Sequence, residues 1–336
     1  MASIVDVAKK AGVSISTVSR VMNDHPNVSE EKRTAVYKAI DELNYIPNAL
    51  AQGLVKKTTK SIAILIADIT NMFYANLVKS VENIFNKKGY HILIGNTEWD
   101  SNKEKEYIKY MLQKQVDGFI LASTTLDRIF LDNITEKGLP VMVLDRDINS
   151  EKIDRIRIDD YRGGYLAAEH LIKCGYRQLL HISGPAGLAS AEDREKGFLQ
   201  CIKDYNYNIQ DVEILPGCYT EECGIQAMED YLTQNRLKET TGIFSANDAM
   251  ALGILQVLNE RGIYCPQVVG VVGFDNISFA RYANPPLTTI KRPMVETGRI
   301  AAGTLLERIE NSDEDFFTRE IKLDVKLVKR SSTIRN

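Results

Sequence analysis

The first 23 residues contain two short amphipathic patterns separated by Gly12, and this feature constrains the fold more than any other. Ser3 can cap a first helix, because Asp6 stands three residues later as in a capping box. Gly12 permits the left-handed backbone of a tight turn, and Ser14 can cap a second helix. The inward-facing residues are Ile4, Val7, Ala8 and Ala11, then Val18 and Val21. This arrangement is typical of a helix-turn-helix, whose second helix enters the major groove of DNA.

A third helical pattern favours this interpretation over an ordinary pair of helices joined by glycine. It follows Ser29, which can cap it, and runs to Leu43. Its inward-facing residues are Ala35, Val36, Ala39, Ile40 and Leu43. Three short helices in fewer than fifty residues form a small core, which suits a DNA-binding headpiece. Pro47 cannot continue a helix and closes this segment after Tyr45.

Two parts of this region carry side chains suited to DNA. The second helix turns Ile15, Ser16, Ser19 and Arg20 outward. The Arg20 guanidinium can bond both acceptors of a guanine, whereas Ile15 can make only apolar contact, for instance with a thymine methyl. The later segment NALAQGLVKK is too short to form a stable helix alone. Leu54 could wedge between base pairs in a minor groove, but Gly53 also fits a plain linker.

Composition predicts an ordinary cytoplasmic globular protein. Of the 336 residues, 44% are hydrophobic and 26% are charged. No apolar run reaches transmembrane length, and the start lacks the pattern of a secretory signal. The five cysteines, at positions 174, 201, 218, 223 and 265, show no CxxC spacing. We therefore expect reduced thiols and no bound metal.

The charge is unevenly distributed along the chain. The net charge is −3 overall, yet residues 1–60 hold nine Lys and Arg against six Asp and Glu. A small basic head on an acidic body suits local contact with phosphates, without binding of the whole body to DNA. An ordinary solvated helical surface would also explain so small a bias.

From Ser61 onward the pattern changes to alternating strands and helices. Short apolar runs such as SIAILIA, VDGFIL and PVMVL have strand length, and helical stretches separate them. This alternation predicts βαβ units and parallel sheets. The scheme repeats after Ile158, so we expect two α/β halves that face each other across a cleft. Neither GxGxxG nor GxxxxGK follows a strand, which argues against nucleotide binding by either loop.

Polar and aromatic residues follow many of these predicted strands. Ligands in such architectures collect at the carboxyl ends of strands. The candidate ligand-binding residues are Phe73, Tyr74, Asp145, Arg146, Arg194, Tyr219, Asn247 and Asp275. Charged groups that bond hydroxyls, together with aromatic faces that cover C–H groups, would suit a sugar. Each residue alone could instead form a strand-end salt bridge or cap, and Asp248 is expected to cap the helix that begins at Ala249.

The chain resembles the LacI/GalR family of bacterial transcription regulators. The resemblance spans nearly the whole sequence and rests on these segments: DVAKKAGVSISTVSRVMN, YIPNALAQGL, ITNMFY, VDGFIL, LDRD, GYRQLLHISG, SANDAMALG, VVGFDNI and PLTTI. It implies a lambda-repressor-like helix-turn-helix headpiece and a periplasmic-binding-protein-like core of two doubly wound parallel-sheet subdomains. It also implies a homodimer that binds a near-palindromic operator in double-stranded DNA and holds a small effector in the core, without a cofactor.

The resemblance also assigns boundaries and roles. Residues 1–46 would form the headpiece, 47–60 a hinge helix and linker, and 61–336 the core. Within the core, the N-subdomain would span about 61–159 and 291–321, and the C-subdomain about 160–290 and 322–336. The implied DNA-contact residues are Ile15, Ser16, Thr17, Ser19, Arg20, Asn23, Tyr45, Asn48 and Leu54. The candidate cleft residues named above would bind the effector.

One departure from the family concerns the charge of the cleft. Where the family often has glutamine after TTI, this chain has Arg292. Together with Arg146 and Arg194 it would give three cations for two carboxylates. A surplus positive charge in a dry cleft would favour a sugar acid over a neutral sugar. Alternatively, Arg292 could point away or pair with Glu296.

Several function classes remain to be compared. A repressor of carbohydrate-utilisation genes, released from its operator by a sugar or sugar acid, agrees best with the headpiece. A sugar-binding transport protein would share the core. It would, however, carry a secretory signal and would have no use for a DNA-binding headpiece. A sugar-metabolising enzyme is not expected, because no histidine stands at a predicted strand end of the cleft. The headpiece and ITNMFYANL also resemble the catabolite control protein, which implies a phosphorylated carrier protein as a possible corepressor.

Overall fold

The computed structural model describes residues 2–45, 58–122, 124–146, 148–206, 212–234, 236–237, 240–311 and 317–334. The chain divides into two compact units, Met1–Thr59 and Lys60–Asn336. The expected hinge segment, with Asn48 and Leu54, lies almost entirely outside the described residues. No described helix combines the length and apolar character needed to cross a membrane.

Over residues 2–45, the first unit contains three helices, as predicted. They are α1 (Ile4–Ala11), α2 (Ile15–Met22) and α3 (Glu30–Leu43). The capping box is present: the Ser3 hydroxyl accepts from the Asp6 amide, and the Asp6 carboxylate accepts from the Ser3 amide at 2.8 Å. Gly12 ends α1 with φ of 67°, in the left-handed region that favours glycine. Ser14 caps α2 through the Thr17 amide, whereas the Ser29 side chain makes no such bond to α3.

A single small core holds the three helices together. Its fully buried members are Val7, Ala8, Val18, Val21, Val36 and Ala39. Each helix contributes residues spaced three or four apart, which places them on one face. Tyr45 packs against this cluster from the end of the described segment. The predicted inward faces of all three helices are therefore present, although Ala35 lies at their margin.

The second unit contains two α/β halves. The first half comprises β1 (Ser61–Ile66), α4 (Met72–Asn86), β2 (His91–Asn96), α5 (Ser101–Gln113), β3 (Gly118–Ala122), α6 (Arg128–Thr135), β4 (Val141–Leu144) and β5 (Asp154–Ile158). The second half comprises α7 (Asp160–Lys173), β6 (Gln178–Ile182), α8 (Ala189–Asp204), β7 (Val212–Leu215), α9 (Glu221–Thr233), β8 (Thr241–Ser245), α10 (Asp248–Glu260), β9 (Val269–Asp275), a 3₁₀ turn (Ser278–Arg281) and β10 (Thr288–Lys291). The chain then adds α11 (Met294–Glu310), β11 (Glu320–Leu323) and β12 (Lys326–Val328).

The two sheets have the same strand order. The first runs β11-β5-β4-β3-β1-β2, and the second runs β12-β10-β9-β8-β6-β7. All described strand pairs are parallel except β10 with β12, which is antiparallel and modifies the expected all-parallel arrangement. In each sheet the chain adds its second strand on one side of the first strand and its third strand on the other side. The direction of strand order therefore reverses between β1 and β3 in one half and between β6 and β8 in the other. Such switch points open a crevice at the carboxyl ends of the strands.

The chain crosses between the halves after β5, after β10 and after β11. Helix α11 packs on α4 of the first half. Strand β11 pairs with β5 through Leu323 ↔ Ile158. The last crossing therefore lies beyond Leu323, two residues later than the boundary expected from the sequence. Apolar side chains cover both faces of each sheet, so the strands are buried as parallel strands require.

Candidate functional site

The exposed face of α2 carries the residues predicted to contact DNA. Ile15 is 47% exposed, although it is a large apolar side chain, and Ser16 and Arg20 are also exposed. The ion pairs described in the headpiece join Lys10 to Glu42 and Arg33 to Asp24, and they leave Arg20 at the surface. Ile15 and the Arg20 guanidinium, which has no ion pair among the described residues, are therefore both available for contact with base edges in a groove.

The other predicted DNA-contact residues have local structural contacts as well. Thr17 and Ser19 are half-buried, and the hydroxyls of Ser16 and Thr17 each lie 2.8 Å from the Ser14 hydroxyl. The Asn23 side-chain amide donates to the Ser19 carbonyl at 2.9 Å and so closes the end of α2. These contacts orient the first turn of α2 rather than leave its side chains free.

A cavity of about 200 Å³ lies between the carboxyl ends of the two sheets. The nine candidates from the sequence all line it: Phe73, Tyr74, Asp145, Arg146, Arg194, Tyr219, Asn247, Asp275 and Arg292. Sequence reasoning missed eight further lining residues: Asn71, Trp99, Thr124, Thr125, Gly187, Leu188, Ala189 and Ser190. Trp99 follows β2 and Thr124 follows β3, so the strand-end rule would have found both had it been applied to every strand.

An ionic network joins the two halves across this cavity. Arg292 follows β10 at the crossover and lies 2.5 Å from an Asp145 oxygen and 3.7 Å from Asp275 Oδ1. Asp145 follows a strand of the first sheet, whereas Asp275 ends a strand of the second. The guanidinium carbon also lies 4.3 Å from the centre of the Phe73 ring. Arg292 thus faces the cleft, while Glu296, its alternative partner, pairs with Arg299.

Burial dominates the protonation of this network. It raises the pKa of Asp275 to about 6, even though Arg194 and Arg292 oppose the shift. Burial also disfavours the charged form of Arg292, but the carboxylates of Asp145, Asp160 and Asp275 outweigh it and raise the Arg292 pKa. The Asp275 carboxylate is therefore destabilised by its burial, and a hydrogen-bond donor from a ligand would stabilise it.

Arg194 belongs to a second buried ion pair that the sequence did not predict. Its Nε donates to Asp160 Oδ1 at 2.8 Å, and its Nη1 donates to the Ala246 carbonyl at 2.5 Å. The guanidinium carbon lies 3.8 Å from the centre of the Phe274 ring. Asp160 begins α7 and was not counted among the carboxylates of the cleft. The expected three arginines and two carboxylates line the cavity, but Asp160, outside the lining, pairs with Arg194 and offsets the surplus positive charge.

Two other predicted residues have their polar groups engaged by the protein. The Arg146 guanidinium donates to the carbonyls of Thr124 and Leu126, and so fixes the loop after β3. The Asn247 amide donates to the Tyr219 carbonyl at 2.7 Å, and its oxygen accepts from the Met250 amide at 2.9 Å. Both residues therefore shape the cavity wall.

The predicted capping role of Asp248 is wrong. Asn247 caps α10, because its extended backbone directs its side chain at the first helical turn. Asp248 is instead the first helical residue and is fully buried. It accepts from the Thr289 hydroxyl at 2.6 Å and from the Ile277 amide at 2.8 Å. Burial raises its pKa well above the ordinary value.

Several residues that line the cleft have a strained backbone. Asp145, Tyr219 and Asp275 have φ values of 62°, 70° and 111°, where residues other than glycine are uncommon. Such conformations persist only where the surrounding structure holds them, and they are frequent at ligand sites. Asp275 Oδ1 and Arg292 Nε are moreover buried with no hydrogen-bond partner among the described residues. Buried polar atoms of this kind call for a partner, and a bound ligand would supply it.

Tyr219 also lies between two bonded cysteines. Cys218 and Cys223 form a disulfide, so the expectation of reduced thiols is wrong for this pair. Cys174, Cys201 and Cys265 are not disulfide-bonded. Four residues lie between the bonded cysteines along the chain, a spacing with no familiar motif, so their pairing depends on the turn between β7 and α9. Within the described residues, no group of His, Cys, Asp or Glu side chains is arranged to hold a metal ion.

Comparison with known proteins agrees with both parts of the chain. The family described as bacterial regulatory proteins, lacI family, matches residues 3–48, and the periplasmic binding protein-like domain matches residues 168–333. The HTH-type transcriptional repressor PurR of Aliivibrio fischeri (strain MJ11) is 35% identical over 99% of both chains.

Solved structures show the same fold. The lac repressor dimer bound to operator and the anti-inducer ONPF has a TM-score of 0.84 and 28% identity over 99% of both chains. A LacI family transcriptional regulator from Enterococcus faecium with bound ribose has a TM-score of 0.74 and 31% identity, and covers 82% of this chain and 98% of its own. These relatives are repressors and regulators, which confirms the expectation that the chain is not an enzyme. The chain therefore belongs to the LacI family of transcriptional repressors, homodimers that bind operator DNA through a helix-turn-helix and a small-molecule effector in the core, without a cofactor.

Proposed function

We propose that this repressor controls carbohydrate-utilisation genes and leaves its operator when a neutral monosaccharide occupies the cleft. The observation that carries the proposal is the network of Asp145, Arg292 and Asp275. It presents both an acceptor and donors to the cavity, and it belongs to both halves. A sugar with neighbouring hydroxyls can donate to the carboxylate and accept from the guanidinium at once.

Charge and size support a neutral ligand of monosaccharide dimensions. The three arginines of the site are balanced by three carboxylates, so no excess cation favours a sugar acid. The cavity of about 200 Å³ lies below the range of about 300–1,000 Å³ that is common for larger ligands. Phe73, Tyr74, Trp99 and Tyr219 supply the aromatic faces that C–H groups of a sugar ring would contact.

A purine base is the second candidate, because relatives that are 35% and 37% identical over 99% of this chain carry the name PurR. The rings of Trp99 and Tyr219 could contact a planar base. Their centroids, however, lie 6.3 Å apart at an angle of 44°, so the two rings already contact each other and leave no parallel slot. This geometry favours the sugar.

The mechanism follows from where the ligand would contact the protein. A ligand held by Asp145 and Asp275 bonds both halves and stabilises their closed arrangement. In a dimer, such closure would change the spacing of the two segments at 47–60 and hence of the two headpieces. Two linked headpieces bind far more tightly than one, so a change of spacing releases the operator. Coupling is reciprocal, and operator binding must weaken sugar binding by the same factor.

The proposed DNA contacts are those of α2 and the hinge. Arg20 would read a guanine, Ile15 and Ser16 would contact neighbouring base edges, and Thr17, Ser19, Asn23 and Tyr45 would position the headpiece on phosphates. Asn48 and Leu54, outside the described residues, would act in the minor groove. The carrier-protein corepressor stays a prediction.

Calorimetry on the full-length protein tests the proposal. D-ribose, D-glucose, their onic acids and adenine would each be titrated into the wild type, Asp275→Asn and Asp204→Asn. Asp204 is exposed on α8, away from the cleft, and serves as the matched control. We expect a neutral sugar to bind the wild type and the control but not Asp275→Asn. Binding of a sugar acid or adenine alone would contradict the proposal.

A further inference from the structure

We propose that Cys218 and Cys223 are a redox-responsive pair that controls where Tyr219 lies in the effector cavity. The inference rests on the proposed function only in that the cavity binds the effector. The oxidised pair holds the Tyr219 ring against the site, and reduction releases it. The oxidation state of the protein would then modulate its response to the effector.

The disulfide encloses the turn that places Tyr219. Cys218 and Thr220 flank this residue, and Thr220 is the N-cap of α9. The Thr220 hydroxyl accepts from the Cys223 amide at 3.3 Å and lies 3.5 Å from Cys218 Sγ. Both cysteines therefore contact the residue that starts the helix. Breaking the disulfide removes the covalent restraint on the backbone conformation of this turn.

Tyr219 needs a conformational restraint because its backbone is strained. Its φ of 70° is rare for a residue with a side chain. The Asn247 amide holds its carbonyl, and the Arg194 guanidinium lies 5.5 Å from the ring centre. The ring also occupies space that only Gly184 leaves open, since a Cβ there would lie 2.4 Å from the ring. The disulfide adds a constraint on the side of the turn that these contacts do not reach.

The position of the bond favours a switch over a structural role. A loop this short restricts the unfolded chain little, so the bond adds less to global stability than a bridge across a long loop. Disulfides of proteins in reducing compartments are usually transient, catalytic or redox-sensing. A repressor works where its DNA is, among the cell's thiols, and its other three cysteines are not disulfide-bonded.

Small thiols can reach the bond. Cys223 lines a surface pocket of about 350 Å³ between β7 and α9, together with Leu215, Gln226 and Arg236. The thiolate of a low-molecular-weight thiol attacks the Cys223 sulfur, and Cys218 leaves as a thiolate that takes up a proton. A second thiol then displaces Cys223 from the mixed disulfide. Two electrons pass to the protein, and one low-molecular-weight disulfide is formed; that disulfide is the oxidant of the reverse reaction.

Trp99 provides a direct readout. It is the single tryptophan of the sequence, and its ring centre lies 6.3 Å from that of Tyr219. Full-length protein would be equilibrated in mixtures of glutathione and glutathione disulfide, its thiols alkylated and counted by mass spectrometry, and its tryptophan emission recorded. We expect the emission to follow oxidation of Cys218 and Cys223. D-ribose affinity in the reduced form should be weaker by up to about tenfold, the value of one aromatic contact.

Two variants complete the test. The double variant Cys218→Ser/Cys223→Ser should show the emission of the reduced protein in every mixture. Cys265→Ser, which keeps a donor for the Ser332 carbonyl, should respond like the wild type. Full alkylation of both cysteines in glutathione disulfide, or identical emission of the two forms, overturns the inference. Emission that follows oxidation without any binding of D-ribose would support the pair's control of Tyr219 and count only against that sugar.

Discussion

Replacement of Asp275 by asparagine should stabilise the empty protein while abolishing effector binding. Burial raises the Asp275 pKa from 3.8 to about 6. A shift of about two units corresponds to roughly 3 kcal/mol of cost for the charged form in the folded state. Asparagine keeps the shape and removes the charge, so Asp275→Asn should gain up to about 3 kcal/mol at pH 7.5. For a unit of this size, that gain raises the Tm by roughly 6–10 °C.

The sign of the pH dependence makes this prediction specific. Because the folded pKa lies above the unfolded value, the native state binds the extra proton between about pH 4 and 6. Wild-type stability from this group therefore increases as the pH falls through 6, and the advantage of the variant disappears near pH 4. Sugar affinity of the wild type should fall over the same range, because the protonated carboxyl is a poorer acceptor.

Thermal unfolding of the wild type, Asp275→Asn and Asp204→Asn between pH 4.5 and 8 measures the effect. The exposed control should unfold like the wild type throughout. A variant that is less stable than the wild type at pH 7.5, or a difference that does not change with pH, would refute the reasoning. So would undiminished sugar binding by Asp275→Asn.

Three further changes probe other parts of the structure. Arg194→Ala should lower the free energy of unfolding by about 3–5 kcal/mol, because it leaves the Asp160 carboxylate buried and unpaired. The double variant Arg194→Met/Asp160→Leu should recover most of the lost free energy, as measured by chemical denaturation. Gly164→Ala should unfold at a clearly lower temperature, since its Cβ would lie 1.9 Å from the Arg194 carbonyl oxygen; tolerance without loss would contradict the close packing of α7 on α8. Arg20→Ala should lose about 1–3 kcal/mol of discrimination at one base pair in a competition binding assay, with no change in sugar affinity; uniform weakening on all sequences would instead indicate a phosphate contact.

Local patterns determined what could be predicted of the fold. The headpiece follows from caps, one glycine and helical spacing, all of which act within four residues. The strand ends of the core could be placed because buried parallel strands are continuous apolar runs. The boundary near β11 could be placed only approximately, since β11 and β12 belong to different sheets although only two residues separate them. The pairing of strands that are far apart in the sequence cannot be predicted from a short segment of it.

The sequence predicted which residues line the site, but not which residues they pair with. Strand-end reasoning found Asp145, Arg146 and Asp275, because geometry brings all carboxyl ends to one edge. Arg194 came from a helix start and Arg292 from a departure from the family pattern. Strand-end reasoning did not find Asp160, which starts a helix and meets Arg194 only after folding. This carboxylate offsets the surplus positive charge that was expected in the cleft. The pairing of Cys218 with Cys223 was missed for a similar reason, because sequence gives their spacing but not the turn that joins them.

The central claim is that occupancy of the cleft and occupancy of DNA are coupled. Fluorescence anisotropy of a labelled operator, selected from genomic fragments by the purified dimer, measures this coupling with and without a saturating sugar that calorimetry has shown to bind. The account predicts a loss of operator affinity of about 5–150-fold, and none for Asp275→Asn. A sugar that binds the cleft while operator affinity stays unchanged would contradict it.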